Sequence, residues 1–323
     1  MTGHRQNGRG MPKTTAVVLG AGVVGLSCAS LLLEKGWAVH VVARERTPRT
    51  TSDVAAAIAY PYLAEPADRV LTWFRLSLRA FEKLEENPAT GIRTLEMVDL
   101  QADARAPQPS WADVVRDFEE TAGPPHLPEY AKTWRAKVPL VPMDRYMPWL
   151  EKRCQRLGAT FEEATLSSLE DVDHARVVNC TGLGARELVP DLGVYPVRGQ
   201  IVRLENRGVK KFWCDDEGPR GLTYLIPRGD ELIVGGTAQA HSDSLEPDPA
   251  TEAAMIRRAI EIVPILRGAE VIGRAVGLRP GRPTVRLERE RKGRSLIVHC
   301  YGHGGAGVSL SWGCAQEAVE RLD

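Results

Sequence analysis

The stretch that decides the fold is Thr15-Ala16-Val17-Val18-Leu19-Gly20-Ala21-Gly22-Val23-Val24-Gly25. Its first five residues are short, apolar and largely β-branched, which reads as a buried strand. Gly20, Gly22 and Gly25 follow at Gly-x-Gly-x-x-Gly spacing, and an apolar helix then runs to about Lys35, where Gly36 stops it. Ala38–Ala43 (AVHVVA) reads as a second buried strand. In such a strand–turn–helix–strand unit Gly20 makes the tight turn and Gly22 lets the backbone approach a pyrophosphate. Gly25 lets the helix pack on the strand. The N–H groups of the first helical turn, around Val23 and Val24, then face the phosphates with the positive end of the helix dipole. Glu45, twenty positions beyond Gly25, suits a ribose hydroxyl, while Arg44 before it suits a 2′-phosphate, and Arg46 belongs to the same cofactor-facing segment. These residues predict a dinucleotide site and leave FAD, NAD and NADP open.

The same region offers a false lead. Residues 14–33 carry no formal charge and follow Arg5, Arg9 and Lys13, a pattern shared with secretory signals and membrane spans. Three glycines and a β-branched first half fit a strand, turn and helix better. The polar residues 1–10 read as a disordered or artificial tail.

Working outward, the 323 residues hold 43% hydrophobic and 26% charged side chains, the balance of a globular chain with about two domains. Lys and Arg number 42, as do Asp and Glu, so no basic excess points to nucleic acid. The six cysteines form no Cys-x-x-Cys pair, which suggests free thiols in a reducing compartment. His299 and His303 are four apart, a spacing that converges only on a helix. Here they span a strand end and a glycine-rich turn, and no metal site is expected.

Leu71, Phe74, Leu78, Phe81 and Leu84 recur at helical spacing, and a stretch rich in Pro and Trp follows from Pro107 to Pro142. Val177–Cys180 reads as another buried strand. Alternating segments between Gly199 and Ala238 predict an antiparallel sheet. Ser295–Tyr301 is a last strand, followed by Gly302-His303-Gly304-Gly305-Ala306-Gly307 and a helix with apolar residues at 308, 312, 315, 319 and 322.

Taken together, these blocks resemble the D-amino acid oxidase family of flavoenzymes. The resemblance rests on VVLGAGVVGLSCA near the start, Thr50-Thr51-Ser52-Asp53-Val54-Ala55-Ala56, Arg145–Leu150, Val178–Gly182 with Arg198-Gly199-Gln200, Thr223–Pro227 with Gly235-Gly236-Thr237, Gly277-Leu278-Arg279-Pro280 with Arg286-Leu287-Glu288, and Tyr301–Gly307 with Trp312–Ala315. The blocks keep the family's order; only residues 63–140 lack a match.

The resemblance implies an α/β fold with a discontinuous Rossmann-like FAD domain (11–60, 140–182 and 285–323) and an inserted mixed or antiparallel substrate domain (61–139 and 183–284). It implies oxidative deamination of a D-amino acid by hydride transfer from the α-carbon to flavin N5. Molecular oxygen is reduced to hydrogen peroxide, and the imino acid hydrolyses to a 2-oxo acid and ammonia. Arg279 would anchor the substrate carboxylate through its guanidinium fork. Tyr224 would touch the same carboxylate, and the Gly305 carbonyl would accept from the amine. Thr50, Thr51, Ser52, Ala56, Ala57, Ile58, Cys180, Thr181, Gly182, Gly304, Gly305, Gly307, Val308 and Ser309 would join the first glycines around FAD. Ile58, Tyr60 and Arg220 would line the substrate pocket, and Arg282 and Arg286 would be structural.

Two positions depart from the animal members. Tyr60 replaces a pocket glutamine. Arg220 stands where a mobile tyrosine would lie; reaching inward, it would favour D-aspartate, but the loop formers Asp215–Pro219 predict that it faces solvent beside their acids. Neutral D-amino acids are therefore the expected substrates, with a D-aspartate oxidase as the near rival. An NAD(P)-dependent dehydrogenase and a non-catalytic flavin-binding regulator are remoter. A cytoplasmic location is expected, without membrane association, and a homodimer is left open.

Overall fold

The computed structural model describes residues 14–60 and 64–323. The polar tail and position 61, where the inserted domain was expected to begin, lie outside the described residues. The opening stretch forms β1 (Thr15–Leu19), α1 (Val23–Glu34) and β2 (Ala38–Ala43). The long uncharged run is thus split between a strand and a helix, and no helix among the described residues is long and apolar enough to cross a membrane. α2 (Ala67–Glu85) follows, and then β3 (Arg93–Gln101), β4 (Arg116–Ala122) and β5 (Lys132–Leu140). Next come α3 (Met143–Arg156), β6 (Thr160–Glu163), β7 (Arg176–Asn179) and the single turn α4 (Ala185–Leu188). The central strands are β8 (Tyr195–Glu205), β9 (Phe212–Asp215), β10 (Thr223–Arg228), β11 (Glu231–Gly235) and the short β12 (Gln239–Ala240). The chain continues with α5 (Pro249–Ile262), β13 (Val271–Gly281), β14 (Arg286–Lys292), β15 (Ser295–Tyr301) and α6 (Gly307–Leu322).

Two sheets organise these elements. The first has six strands in the order β14-β15-β7-β1-β2-β6. All pairs are parallel except the antiparallel edge β14–β15. The apolar runs of β1, β7 and β15 follow from burial on both faces, which helices and loops must cover. α1 and α6 pack against each other, with α3 on α1 and α2 on α6. The α2–α6 approach is close: a Cβ at Gly313 would lie 2.6 Å from the Trp73 carbonyl carbon. The Gly313 N–H donates to Ser77 Oγ at 2.9 Å, and the Trp73 indole donates to Glu317 at 2.6 Å.

The second sheet has nine strands in the order β12-β8-β11-β10-β9-β3-β5-β4, with β13 also paired to β8. It is antiparallel apart from β3–β9. Its far side carries a separate apolar cluster with Val202, Leu204, Leu225, Leu232 and Met255 of α5. The side bearing Ile201, Phe212, Cys214 and Ile226 belongs to the main core and faces the cavity described next.

Candidate active site

A cavity of about 410 Å³, within the range of small-molecule sites, is lined by residues of both sheets. At one end lie Gly20, Gly22, Val23 and Val24, at the turn into α1. Gly20 has φ +102°, and a Cβ there would stand 2.5 Å from the Cys180 carbonyl oxygen. Gly25 does not line the cavity. A Cβ on it would collide with the Gly20 carbonyl, so it permits the close packing of helix on strand that its motif position predicts. Ser52 Oγ accepts from the Val23 N–H at 2.9 Å, but no side chain caps the helix from Gly22 and no acid sits in its first turn. The positive end of α1 is thus offered to the cavity.

Arg44 and Glu45 are exposed at the cavity edge. Arg46 departs from the sequence reading: it turns away, bonds both oxygens of Glu151 at 2.6 and 3.2 Å, and stacks over Phe161 at 4.4 Å. Thr50, Thr51 and Ser52 line the wall, fastened by Asp53, which accepts from the Thr50 N–H at 2.9 Å and from Thr47 Oγ1 at 2.6 Å. Ala56, Ala57 and Ile58 continue it. Ala57 holds φ +57°, unusual for a residue with a side chain, and the turn is secured from outside. Arg228 donates to the carbonyls of Ala55 and Ala56 at 2.9 and 2.6 Å, a role no motif signalled.

Cys180, Thr181 and Gly182 face the cavity after β7. Gly304, Gly305, Gly307 and Val308 do so at the start of α6, a second helix without a side-chain cap. Ser309 is buried instead in a structural role: its hydroxyl accepts from the Tyr60 N–H at 2.9 Å and donates to the Tyr60 carbonyl at 2.6 Å. Leu166, Leu183 and Gly184 also line the cavity and had no sequence signal. His303 is buried in the wall, and its Nε2 has no partner among the described residues. Two uncapped helix N-termini, glycines too crowded for a Cβ and an orphaned polar nitrogen fit a large cofactor with phosphates and a heteroaromatic ring.

Beyond this cradle lie Arg279 and Tyr224. Arg279, on β13, donates to the Thr237 carbonyl at 2.8 Å, and its guanidinium lies over Gly199. Tyr224, on β10, has its ring over Gly235 and Gly236; a Cβ at Gly236 would come within 2.7 Å of it. Burial pushes the Tyr224 phenol above its ordinary value, and the Arg279 cation beside it partly offsets that. Arg282 and Arg286 are engaged elsewhere. Arg282 bonds Asp191 at 3.0 Å, and Arg286 bonds the Tyr301 hydroxyl and Glu288, each at 2.7 Å.

Ile58 and Tyr60 line this end, but Arg220 does not. Arg220 is clamped between Glu129, at 2.6 Å, and Glu261. The local acids expected to neutralise it do other work. Asp215 accepts from the Tyr130 hydroxyl and the Gly218 N–H, and Asp216 lines the cavity. Sequence also gave no hint that Cys28, Cys180 and Cys300 meet, their sulfurs all within 4.8 Å of one another. His299 contacts Asn179 at 3.2 Å and Glu290 at 3.1 Å, apart from this trio.

Comparison with known proteins decides the family. The model of the family described as FAD dependent oxidoreductase matches residues 15–321. The chain belongs to this family. FAD is its cofactor, and it is an oxidoreductase. The D-amino-acid oxidase of Rubrobacter xylanophilus is 46% identical over 314 residues, 96% of each chain. That of Streptomyces coelicolor is 44% identical over 309 residues, 94% of this chain and 95% of the relative. Among solved structures, glycine oxidase from Bacillus cereus superposes with a TM-score of 0.81 over 96% of this chain and 97% of that one. At 19% identity it bears on the fold alone.

Proposed function

We propose that this flavoenzyme oxidatively deaminates D-amino acids, with neutral side chains preferred to acidic ones. The observation that carries the reading is the pairing of Arg279 and Tyr224 inside the cavity that also holds the two uncapped helix N-termini. Nothing in such a pairing suits a nicotinamide dehydrogenase in particular, whereas a fixed guanidinium beside a phenol suits an α-carboxylate. The identity to two D-amino-acid oxidases supports the same substrate class.

Bound FAD supplies the hydride acceptor and passes the electrons to molecular oxygen as peroxide. The chain's own residues position the substrate. Arg279 takes the carboxylate bidentately, with the Tyr224 hydroxyl as a further donor, and the Gly305 carbonyl takes the amine. Gly20, Gly22 and the Thr50–Ser52 turn would hold the cofactor's phosphates, and the start of α6 would offer a helix dipole to negative charge on its ring. In this reading residues 11–60, 140–182 and 285–323 form the FAD domain, joined by α2 through its packing on α6. The rest of 61–139, with 183–284, forms the substrate domain. A cytoplasmic location belongs to the same proposal.

The test is spectroscopic and stereochemical. Purified protein should be yellow, bleach anaerobically with D-alanine, and release peroxide in air. Equal rates with L-alanine would overturn the assignment, as would a colourless protein that oxidises its substrate only when NAD(P)+ is added as the hydride acceptor.

A further inference from the structure

The second sheet brings two carboxyl groups to the side of the cavity away from Arg279. Asp99 on β3, Cys214 on β9 and Tyr224 on β10 are cross-strand partners in one row, so their side chains share the cavity face. With about 4.8 Å between neighbouring strands, Asp99 stands about 10 Å from Tyr224, on the side opposite β8 and the Arg279 guanidinium. Asp216, just past β9, lines the cavity beside Cys214 and Tyr60. The Cys214 thiol donates to Asp216 at 3.1 Å. Behind it, Asp99 is only 2% exposed and accepts from Gln101 at 2.9 Å and from the Tyr60 hydroxyl at 3.4 Å.

Among the described residues, no cation is one of the groups acting most strongly on this pair. The groups acting most strongly on Asp99 and Asp216 are other acids, an amide, a phenol and a thiol. Burial first, then carboxylate neighbours, push both carboxyls above the usual range. A cation entering beside Asp216 would offset that repulsion and favour the ionised carboxylate.

We propose that Asp216, backed by Asp99, is the recognition site for a positively charged substrate side chain. On the reading that this is a D-amino acid oxidase, the protein takes D-lysine-type substrates in preference to uncharged ones of equal length, and rejects D-Glu. The substrate carboxylate rests on Arg279 and Tyr224, and the side chain runs across β9 towards β3, where its ammonium meets Asp216.

The test compares kcat/KM for D-Lys, D-norleucine (the same four-carbon chain without the ammonium) and D-Glu in wild type and Asp216→Asn. Wild type should favour D-Lys over D-norleucine by about tenfold, the scale of 1.4 kcal/mol. In Asp216→Asn that ratio should fall towards one through a higher KM for D-Lys, with D-norleucine little changed. Turnover of D-norleucine also reports that the variant is folded and loaded with FAD. Two results overturn the proposal: a wild-type ratio of one or less, or a ratio unchanged in the variant; if it is unchanged because both substrates lose equally, Asp216 acts on the α-amine instead. If the variant does not fold, the wild-type ratio and Asp99→Asn, expected to lower the ratio more weakly, decide it. Failure to oxidise any D-amino acid would instead reject the parent reading.

Discussion

The guanidinium of Arg279 lies against the backbone of Gly199, so close that a Cβ there would stand 2.5 Å from its central carbon. The two strands are neighbours in the sheet, and the glycine makes the flat seat on which the fork is displayed. Gly199→Ala should therefore act as a partial loss of Arg279. Its KM for D-alanine should rise at least tenfold, about 1.4 kcal/mol, with flavin content unchanged. Steady-state kinetics beside the flavin-to-protein absorbance ratio check this.

Arg279→Ala removes the fork itself. The loss of a charge-assisted pair in a largely desolvated pocket should cost about 2–5 kcal/mol in kcat/KM, again with FAD retained. If catalytic efficiency is unchanged, the carboxylate anchor lies elsewhere.

Arg220→Ala should leave the ranking of D-Val over D-Asp as it stands, because Glu129 and Glu261 hold the side chain outside the cavity. The exposed part of that cluster should limit the stability change to about 1 kcal/mol. A strong D-Asp preference in wild type that disappears in the variant would show that Arg220 reaches the substrate.

Gly313→Ala separates packing from propensity. Alanine favours a helix by about 1 kcal/mol over glycine. Against that, the new methyl would meet the backbone of Trp73, which cannot swing away as a side chain can. Overpacking at about 1–3 kcal/mol should win, lowering the melting temperature by about 2–4 °C per net kcal/mol.

Asp99 gives a pH signature. Its folded-state pKa is raised, by burial first, so the folded protein holds a proton that the unfolded chain releases earlier. Stability from this group is present below the unfolded value near 3.9 and is lost as pH rises through the folded one. Asp99→Asn should gain on wild type in thermal stability as pH climbs above the unfolded value near 3.9, a trend read from paired melting curves.

Much of the fold was legible because local pattern and global role agreed. β2 and β15 fall on the segments read as buried strands, and the periodic Leu71–Leu84 segment lies within α2. The stretch from β3 to β5 was not legible, for physical reasons. β4 is an exposed edge strand (RDFEETA) without apolar alternation, and β5 carries buried Lys132 and Thr133 along with Pro139. The cofactor wall could be read from glycines whose spacing is set by sterics. The acidic wall could not, since Asp99 and Asp216 are joined only by the pairing of β3 with β9. Arg228 was invisible for a similar reason: what it holds is backbone carbonyls, which leave no trace in side-chain identity.

The placing of β15 between β14 and β7 has a consequence for a growing chain. While the chain is being translated, β7, β1, β2 and β6 can pair before residues 295–301 leave the ribosome, but β7 then ends the sheet as an open apolar edge. The second helix start on the cavity, at Gly307, emerges later still. A nascent chain arrested before this point has the opening glycine turn but no closed cofactor site. Flavin binding is therefore expected only once residues 295–323 are available, and a chain cut before β15 should behave as an aggregation-prone apoprotein rather than a weaker enzyme.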